Sequence, residues 1–164
     1  MNQFFKICVV CLALSSGFAN ADDWPRFRGP DGSGVAHDSD SLPDAWSPTA
    51  NLAWKSSLPG PGASSPIIVD GKVFVTCYSG YGLPQEKQGD IEKLIRHLVC
   101  RDFTTGEKIW QKDVKASLPE DSYYGTGVSS HGYASHTPVS TERMCTASLA
   151  REVYTRLTCM ATNC

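Results

Sequence analysis

The fold of this chain is decided by the stretch Cys100-Arg101-Asp102-Phe103-Thr104-Thr105-Gly106-Glu107-Lys108-Ile109-Trp110. The segment His97–Arg101 overlaps the start of this stretch, and its apolar centre, Leu98-Val99-Cys100, has the composition of a strand. Gly106 supplies the residue that tolerates positive φ in a tight turn. Glu107–Val114 then alternates between apolar and polar side chains, as an outer strand does. The stretch therefore predicts two antiparallel strands joined by a Thr-Gly turn.

A second hairpin is predicted upstream of this stretch. Pro66–Val69 and Lys72–Cys77 flank the dipeptide Asp70-Gly71, which is typical of a primed two-residue turn. Four apolar residues between the two hairpins recur at helical spacing and indicate a short helix or a wide loop: Ile91, Leu94, Ile95 and Leu98. Four antiparallel strands within residues 63–116 have the size of one propeller blade.

Two segments of the chain recur, which favours a repeat array over an isolated sheet. Ala63-Ser64-Ser65-Pro66-Ile67-Ile68 is echoed, with one residue inserted, by Ala134-Ser135-His136-Thr137-Pro138-Val139. Trp54-Lys55 is likewise echoed by Trp110-Gln111, and each of these pairs lies upstream of one of the two segments. We therefore expect residues 117–140 to form a loop and the start of a second blade, which begins near Thr137.

The stretch from Cys100 to Trp110 resembles the repeat of the PQQ-type (pyrroloquinoline quinone) β-propellers, in which an Asp, a Thr-Gly turn and a Trp recur in every blade. The resemblance implies that Asp102, Gly106 and Trp110 are blade-docking residues, with the tryptophan ring buried against the neighbouring blade. Trp24–Pro30 is similar to a segment of secreted bacterial PQQ-like repeat proteins, many of them from planctomycetes.

This resemblance implies a ring of about seven or eight blades, with Trp54 on the strand that closes the ring against the last blade. The chain itself holds one blade and the start of another. The predicted fold class is therefore all-β: a fragment of a PQQ-type, quinoprotein-like β-propeller. It comprises one four-stranded blade and an extended N-terminal arm, residues 22–62, which is rich in Pro, Gly and Ser and pinned by aromatic residues.

Residues 1–21 have the three parts of a secretory signal peptide. Lys6 precedes the apolar run Ile7–Leu14, and Ala19 and Ala21 mark the cleavage site. The apolar run is shorter than the roughly 20 residues that span a bilayer. We therefore expect a periplasmic or secreted product with no membrane span after cleavage, and an uncleaved anchor is the alternative.

The charge of the chain excludes two classes of partner. The net charge is −2 and the charged residues are scattered, so neither nucleic acid nor an anionic membrane surface is indicated. Cys77 and Cys100 are the two cysteines of the body of the chain, and the expected strand pairing sets Cys77 opposite Leu98 and Cys100 opposite Val75. Diagonal neighbours of this kind lie about 7 Å apart, so we expect two small apolar residues without a disulfide.

Quinone-dependent dehydrogenases share the propeller architecture, so enzymatic activity stays open. Bound PQQ, with its Ca²⁺, needs groups from several blades, and no residue here matches a cofactor ligand. We therefore expect no cofactor in this chain, although PQQ and Ca²⁺ are possible in full-length relatives. No catalytic set or metal site is predicted, because the four histidines have the sequence surroundings of surface or turn residues: His37, His97, His131 and His136.

The composition changes abruptly at residue 141. All 14 glycines and all 10 prolines precede it, whereas residues 141–164 contain three of the 7 cysteines. A reading frame shifted by one base near codon 140 accommodates V-Y-C-F-F-G-x-G-G-V-Y-A-F-D, the hairpin that a second blade requires. A frameshifted tail is therefore one hypothesis. The other is a genuine amphipathic helix with Met144, Ala147, Ala150, Tyr154 and Leu157 on one face.

Three functional hypotheses follow from the sequence. The first is a non-catalytic scaffold, which in full-length relatives binds a protein or another extracellular ligand. The second is a fragment of a PQQ-dependent oxidoreductase. The third is a truncated product without activity, because a lone blade exposes apolar faces and open strand edges.

Overall fold

The computed structural model describes residues 23–36, 43–83, 88–124, 128–141, 144–148 and 154–157. These residues form an all-β structure of seven strands in two antiparallel sheets. The predicted signal peptide, with Ala19 and Ala21, lies outside the described residues, as does His37. No helix within the described ranges is long and apolar enough to cross a membrane.

The first sheet has four strands in the order β1-β2-β3-β4, each paired with the next along the chain. They are β1 Ile67–Val69, β2 Lys72–Ser79, β3 Ile95–Asp102 and β4 Lys108–Lys115. The second sheet consists of β5 Val139–Thr141, β6 Met144–Ser148 and β7 Tyr154–Leu157. Helical structure in the described residues is confined to a 3₁₀ turn, Ile91–Lys93, and one α-helical turn, Val128–His131.

The turn between β1 and β2 confirms the predicted hairpin. Asp70 and Gly71 have φ values of 50° and 66°, and positive φ at both central residues defines a type I′ turn. The turn pairs Val69 with Lys72 and thereby sets the register of these two strands. The local sequence alone is sufficient for this feature.

The helical spacing of apolar residues between the two hairpins corresponds to only a single helical turn in the structure. Ile91–Lys93 is a 3₁₀ turn whose N-cap, Asp90, accepts a hydrogen bond from the backbone N–H of Glu92. Ile95 and Leu98, by contrast, lie in strand β3, where Leu98 is fully buried. The wide-loop alternative is therefore the better description, because packing in the sheet overrides the periodicity.

The pairing of β2 with β3 differs by one residue from the predicted register. Cys77 lies opposite His97 and Cys100 lies opposite Phe74, so the expected pairs with Leu98 and Val75 are wrong. A one-residue slip moves each side chain to the other face, and Cys77 and Cys100 consequently point to opposite faces of the sheet. Both faces of the sheet carry apolar residues, so the alternation of apolar and polar side chains along the strands did not specify the register.

A hydrophobic core joins the two sheets. Side chains from β1, β2 and β3 pack with two buried residues of β6, Cys145 and Ala147. Residues 144–148 and 154–157 are strands, so the alternative of an amphipathic helix in this tail is wrong. From the first sheet the core contains Ile67, Val69, Phe74, Leu98 and Cys100.

The N-terminal arm connects the edge strands β1 and β5 of the two sheets. The backbone of Trp24 exchanges two hydrogen bonds with Ile68 of β1, at 2.7 and 3.0 Å. The adjacent carbonyl of Pro25 accepts a hydrogen bond of 2.8 Å from the N–H of Ser140 in β5. Farther along, the Pro61 carbonyl accepts from the N–H of Tyr78, so the arm also continues along β2.

Candidate functional site

The turn between β3 and β4 brings together three of the predicted docking residues, Asp102, Gly106 and Trp54. The indole Nε1 of Trp54 donates a hydrogen bond of 2.8 Å to the carbonyl of Phe103. Gly106 has a φ of 72°, and a β-carbon built on it would clash with the Trp54 ring. Glycine is therefore required here twice, for its backbone conformation and for the close approach of the indole.

Asp102 shapes the same turn. Its Oδ1 accepts hydrogen bonds from the backbone N–H groups of Thr105 and Thr104, at 2.8 and 2.9 Å. The hydrogen bond from Thr105 is the largest cause of a lowered pKa of the Asp102 carboxyl, and the bond from Thr104 lowers that pKa further. The Asp102 carbonyl also accepts from the N–H of Gly106, so Asp102 supports the turn on which Trp54 rests.

Trp110, the fourth predicted docking residue, is separated from this group. It lies on β4 opposite Cys100 and its half-buried ring packs against Phe74, with ring centroids 6.0 Å apart. Trp54 rests on the turn of the first sheet. The sequence also suggested that the strand of Trp54 closes a ring against the last blade, and that contact stays a prediction.

A polar cluster crosses three strands on the face of the sheet that bears Cys77. His97 of β3 is only 4% exposed, so its expected solvation is wrong. The Nδ1 of His97 lies 2.7 Å from Oδ1 of Asp113 on β4, and its Nε2 lies 2.8 Å from Oγ of Ser79 on β2. We call these three residues the serine cluster.

Strand register brings the serine cluster together. Asp113 is the direct partner of His97 across β3 and β4, and Ser79 follows Cys77, the partner of His97 on β2, by two residues. Residues two apart on a strand share a face. The pKa of the Asp113 carboxyl is lowered, chiefly by the hydrogen bond from His97 and next by a hydrogen bond from Gln111. No local motif in the sequence marks these residues, and only the correct register reveals them.

A buried ion pair lies on the other face of the first sheet. The guanidinium of Arg96 contacts both carboxylate oxygens of Glu120, at 2.7 and 2.8 Å, and both side chains are 5% exposed. The Nε of Arg96 also donates a hydrogen bond of 3.0 Å to the carbonyl of Tyr133. Because a buried charge needs a partner, Glu120 and Arg96 depend on each other.

Four tyrosines pack together beside this ion pair, with Tyr133 at the centre of the group. Tyr133 packs edge-on against Tyr78, with ring centroids 5.4 Å apart, and also contacts the rings of Tyr81 and Tyr123. The Arg96 guanidinium lies 5.6 Å from the centre of the Tyr133 ring, within the range of a cation–π contact. Burial raises the pKa of Tyr133 and raises that of Tyr78 to about 12.

The two remaining described histidines take no part in a ligand cluster. His131 ends the short helix, and the backbone carbonyl of His136 accepts a hydrogen bond from Oγ1 of Thr76. In the described part of the chain, no group of three or more His, Cys, Asp or Glu side chains is placed to hold a metal ion.

Comparisons with known proteins match no protein-family model, no curated protein and no solved structure. The resemblance of residues 100–110 to the PQQ-type repeat therefore stays a prediction from the sequence. The structure adds three local arrangements to it: the Trp54–Gly106 contact, the serine cluster, and the Arg96–Glu120 pair.

Proposed function

We propose that this chain is part of an exported PQQ-like β-propeller and that it serves as a binding scaffold. In this proposal the first sheet is one blade, the second sheet begins the next, and residues 1–21 direct export. The partner is a protein or another extracellular ligand.

The contact of Trp54 with Gly106 is the observation that carries the proposal. A tryptophan from before the first sheet rests on the glycine of its Asp-Thr-Gly turn. A repeat in which each outer-strand tryptophan docks on the turn of the following blade requires this contact. By the same rule, Trp110 would dock on the corresponding turn of the next repeat.

The arrangement of the two sheets supports the same proposal. Their edge strands, β1 and β5, are neighbours, and the buried residues Cys145 and Ala147 complete the core of the first sheet. Neighbouring blades of a propeller share apolar faces in this manner, because one sheet alone cannot bury its faces.

The ion pair of the buried Arg96 favours a scaffold over a quinone-dependent enzyme. Arg96 is neutralised by Glu120, and the guanidinium of Arg101 donates to the carbonyls of Gly106 and Ser57. The charge of Arg96 is thus not available to the carboxylates of a quinone cofactor, whereas Arg101 keeps its charge and has a buried Nε without a hydrogen-bond partner among the described residues. Large aromatic side chains suited to protein recognition are exposed instead: Phe27, Trp46 and Tyr124.

Export is tested by expressing the full chain in a bacterium and measuring the intact mass of the periplasmic protein. We expect the product to lack residues 1–21. An Ala19→Glu/Ala21→Glu variant should keep them, because the cleavage site requires small residues. A full-length mass in the wild-type periplasmic fraction would contradict the proposed signal peptide.

The scaffold function is tested with a titration and a binding screen of the exported chain. Addition of PQQ with Ca²⁺ should not quench tryptophan fluorescence saturably, and saturable quenching would overturn the scaffold in favour of an oxidoreductase. Peptide and glycan arrays should yield a ligand whose binding weakens in Trp46→Ala or Tyr124→Ala. The matched control is Leu118→Ala, which also removes an exposed apolar side chain. An equal loss in all three variants would contradict aromatic recognition.

A further inference from the structure

The serine cluster has a defined hydrogen-bond direction. The carboxylate of Asp113 is ionised at neutral pH, because its pKa is lowered, and it can only accept a hydrogen bond. In the neutral imidazole that a general base requires, the Nδ1 of His97, 2.7 Å away, carries the proton and donates it to this carboxylate. The amide Nε2 of Gln111, which lies 3.3 Å from Nδ1, donates to the same carboxylate oxygen at 2.8 Å. The Nε2 of His97 is then an acceptor, and the hydroxyl of Ser79 at 2.8 Å donates to it. The order is hydroxyl, imidazole, carboxylate.

We propose that Ser79 is a nucleophile that accepts the acyl group of small esters, with His97 as its general base and Asp113 orienting the imidazole. A serine hydroxyl is a weak nucleophile until an adjacent base removes its proton, and a third group that holds the base in the correct tautomer completes the arrangement. This activity is independent of the scaffold function proposed above.

The positions of the three side chains agree with this role. Ser79 is the last residue of β2, is half-buried, and precedes the exposed Gly80. His97 is almost fully buried, so the general base is shielded from water while the hydroxyl lies at the rim of the sheet. Asp113 is 53% exposed in its side chain, which weakens its interaction with the imidazole, so we expect slow turnover.

A neighbouring thiol is a poorer nucleophile than the Ser79 hydroxyl. Cys77 lies opposite His97 on the same face, but burial, the largest cause, raises the pKa of its thiol. Because the thiolate is the reactive form of cysteine, the Cys77 thiol remains protonated and unreactive. The hydroxyl of Ser79, 2.8 Å from Nε2 of His97, is therefore the nucleophile in this proposal.

The reaction balances without a metal ion or a redox partner. Oγ of Ser79 bonds to the acyl carbon, and the bond from that carbon to the alkoxy oxygen breaks. The hydroxyl proton passes to Nε2 of His97 and then to the departing alkoxide, which leaves as an alcohol. Water next attacks the acyl carbon and gives a proton to His97, which returns it to Oγ as a carboxylic acid is released.

The experiment treats the purified full chain with a fluorophosphonate, which labels activated serines, and maps the adduct by peptide mass spectrometry. We expect one adduct per chain, at Ser79, and none in Ser79→Ala. His97→Gln should slow labelling by about 100-fold or more and Asp113→Asn by about tenfold or more, in line with the contribution of a general base and its orienting group. The rate of p-nitrophenyl acetate hydrolysis should fall least in Asp113→Asn, more in His97→Gln and most in Ser79→Ala.

Two controls separate this activity from a structural role. Ser64→Ala removes a hydroxyl that bonds to the main chain of Thr76, away from the serine cluster, and it should label at the wild-type rate. Each variant is unfolded in urea, and labelling rates are compared without urea at neutral pH, where the unfolding curve shows that each variant is folded. Labelling spread over several serines, or labelling at Ser79 that is unchanged in Asp113→Asn and His97→Gln, would overturn the proposal.

Discussion

The indole ring of Trp54 occupies the space that a β-carbon on Gly106 would need. The two residues are linked again through the Trp54 Nε1–H, which donates to the carbonyl of Phe103 in the same turn. A segment distant in sequence is thereby held on the first sheet, and the two residues that follow Trp54 by two and three positions add hydrogen bonds: the hydroxyl of Ser56 donates to the carbonyl of Gly106, and Arg101 donates to the carbonyl of Ser57. This contact should be measurable as stability.

Replacing Gly106 with alanine should destabilise the chain through two effects. Positive φ at a non-glycine residue costs about 1–3 kcal/mol, and forcing a methyl group into a filled space adds about 1–3 kcal/mol. The matched control is Gly71→Ala, because Gly71 also has positive φ but has nothing within 4 Å of the place that a β-carbon would take. Urea unfolding should show the larger loss for Gly106→Ala, and equal losses would contradict the Trp54 contact.

Removal of one partner of the Arg96–Glu120 pair should be strongly destabilising. A buried charge without its partner costs about 3–5 kcal/mol, so we expect a loss of that size for Glu120→Gln or Arg96→Met. Lys72→Met is the comparison, because the Lys72–Asp70 pair is exposed and such pairs contribute about 0–1 kcal/mol.

A double-mutant cycle tests whether the two charges act on each other. Arg96→Met/Glu120→Leu should lose less free energy of unfolding than the sum of its single substitutions, since no unpaired charge remains. Additive losses in urea unfolding would show that the partners are independent.

The stability of the chain should fall in acid partly through Asp113. Its folded-state pKa lies below the unfolded-state value of about 3.9, so the ionised carboxylate contributes stability above that pH. This contribution is lost as the pH falls through the folded-state pKa. Unfolding free energies measured from pH 6 to pH 2 should depend less steeply on pH in Asp113→Asn, and an unchanged slope would contradict the His97 contact.

The chain should also lose stability in alkali through Tyr78. Its pKa is raised from 10.0 to about 12, so the neutral phenol contributes stability that is complete below pH 10. That stability is lost as the pH rises towards 12. Tyr78→Phe keeps the ring contact with Tyr133 but removes the ionisable group, and its unfolding free energy should decline less between these pH values. Parallel curves for the two proteins would refute the prediction.

Local turn chemistry made the first hairpin predictable from the sequence. Asp70-Gly71 can adopt positive φ at both positions, and that property alone closes a type I′ turn. The register of β2 with β3 was not predictable in this way. Their connection is long, and a slip of one residue leaves apolar side chains on both faces.

The serine cluster could not be predicted from the sequence for the same reason. Ser79, His97 and Asp113 are distant in sequence and belong to three different strands. Their spacing has no meaning until the pairing of those strands is known, and the predicted register set Leu98 rather than His97 opposite Cys77.

The sequence by itself determined the strand segments of the first sheet, its two tight turns and the glycine that each turn requires, because these features depend on neighbouring residues. The tertiary structure decided which strands share a register, where His97 is buried, and that Trp54 rests on Gly106. Those features are contacts between distant segments, and they depend on which faces are buried against each other. Backbone conformation is a local property of the chain, whereas the side chains that meet in space are selected by packing.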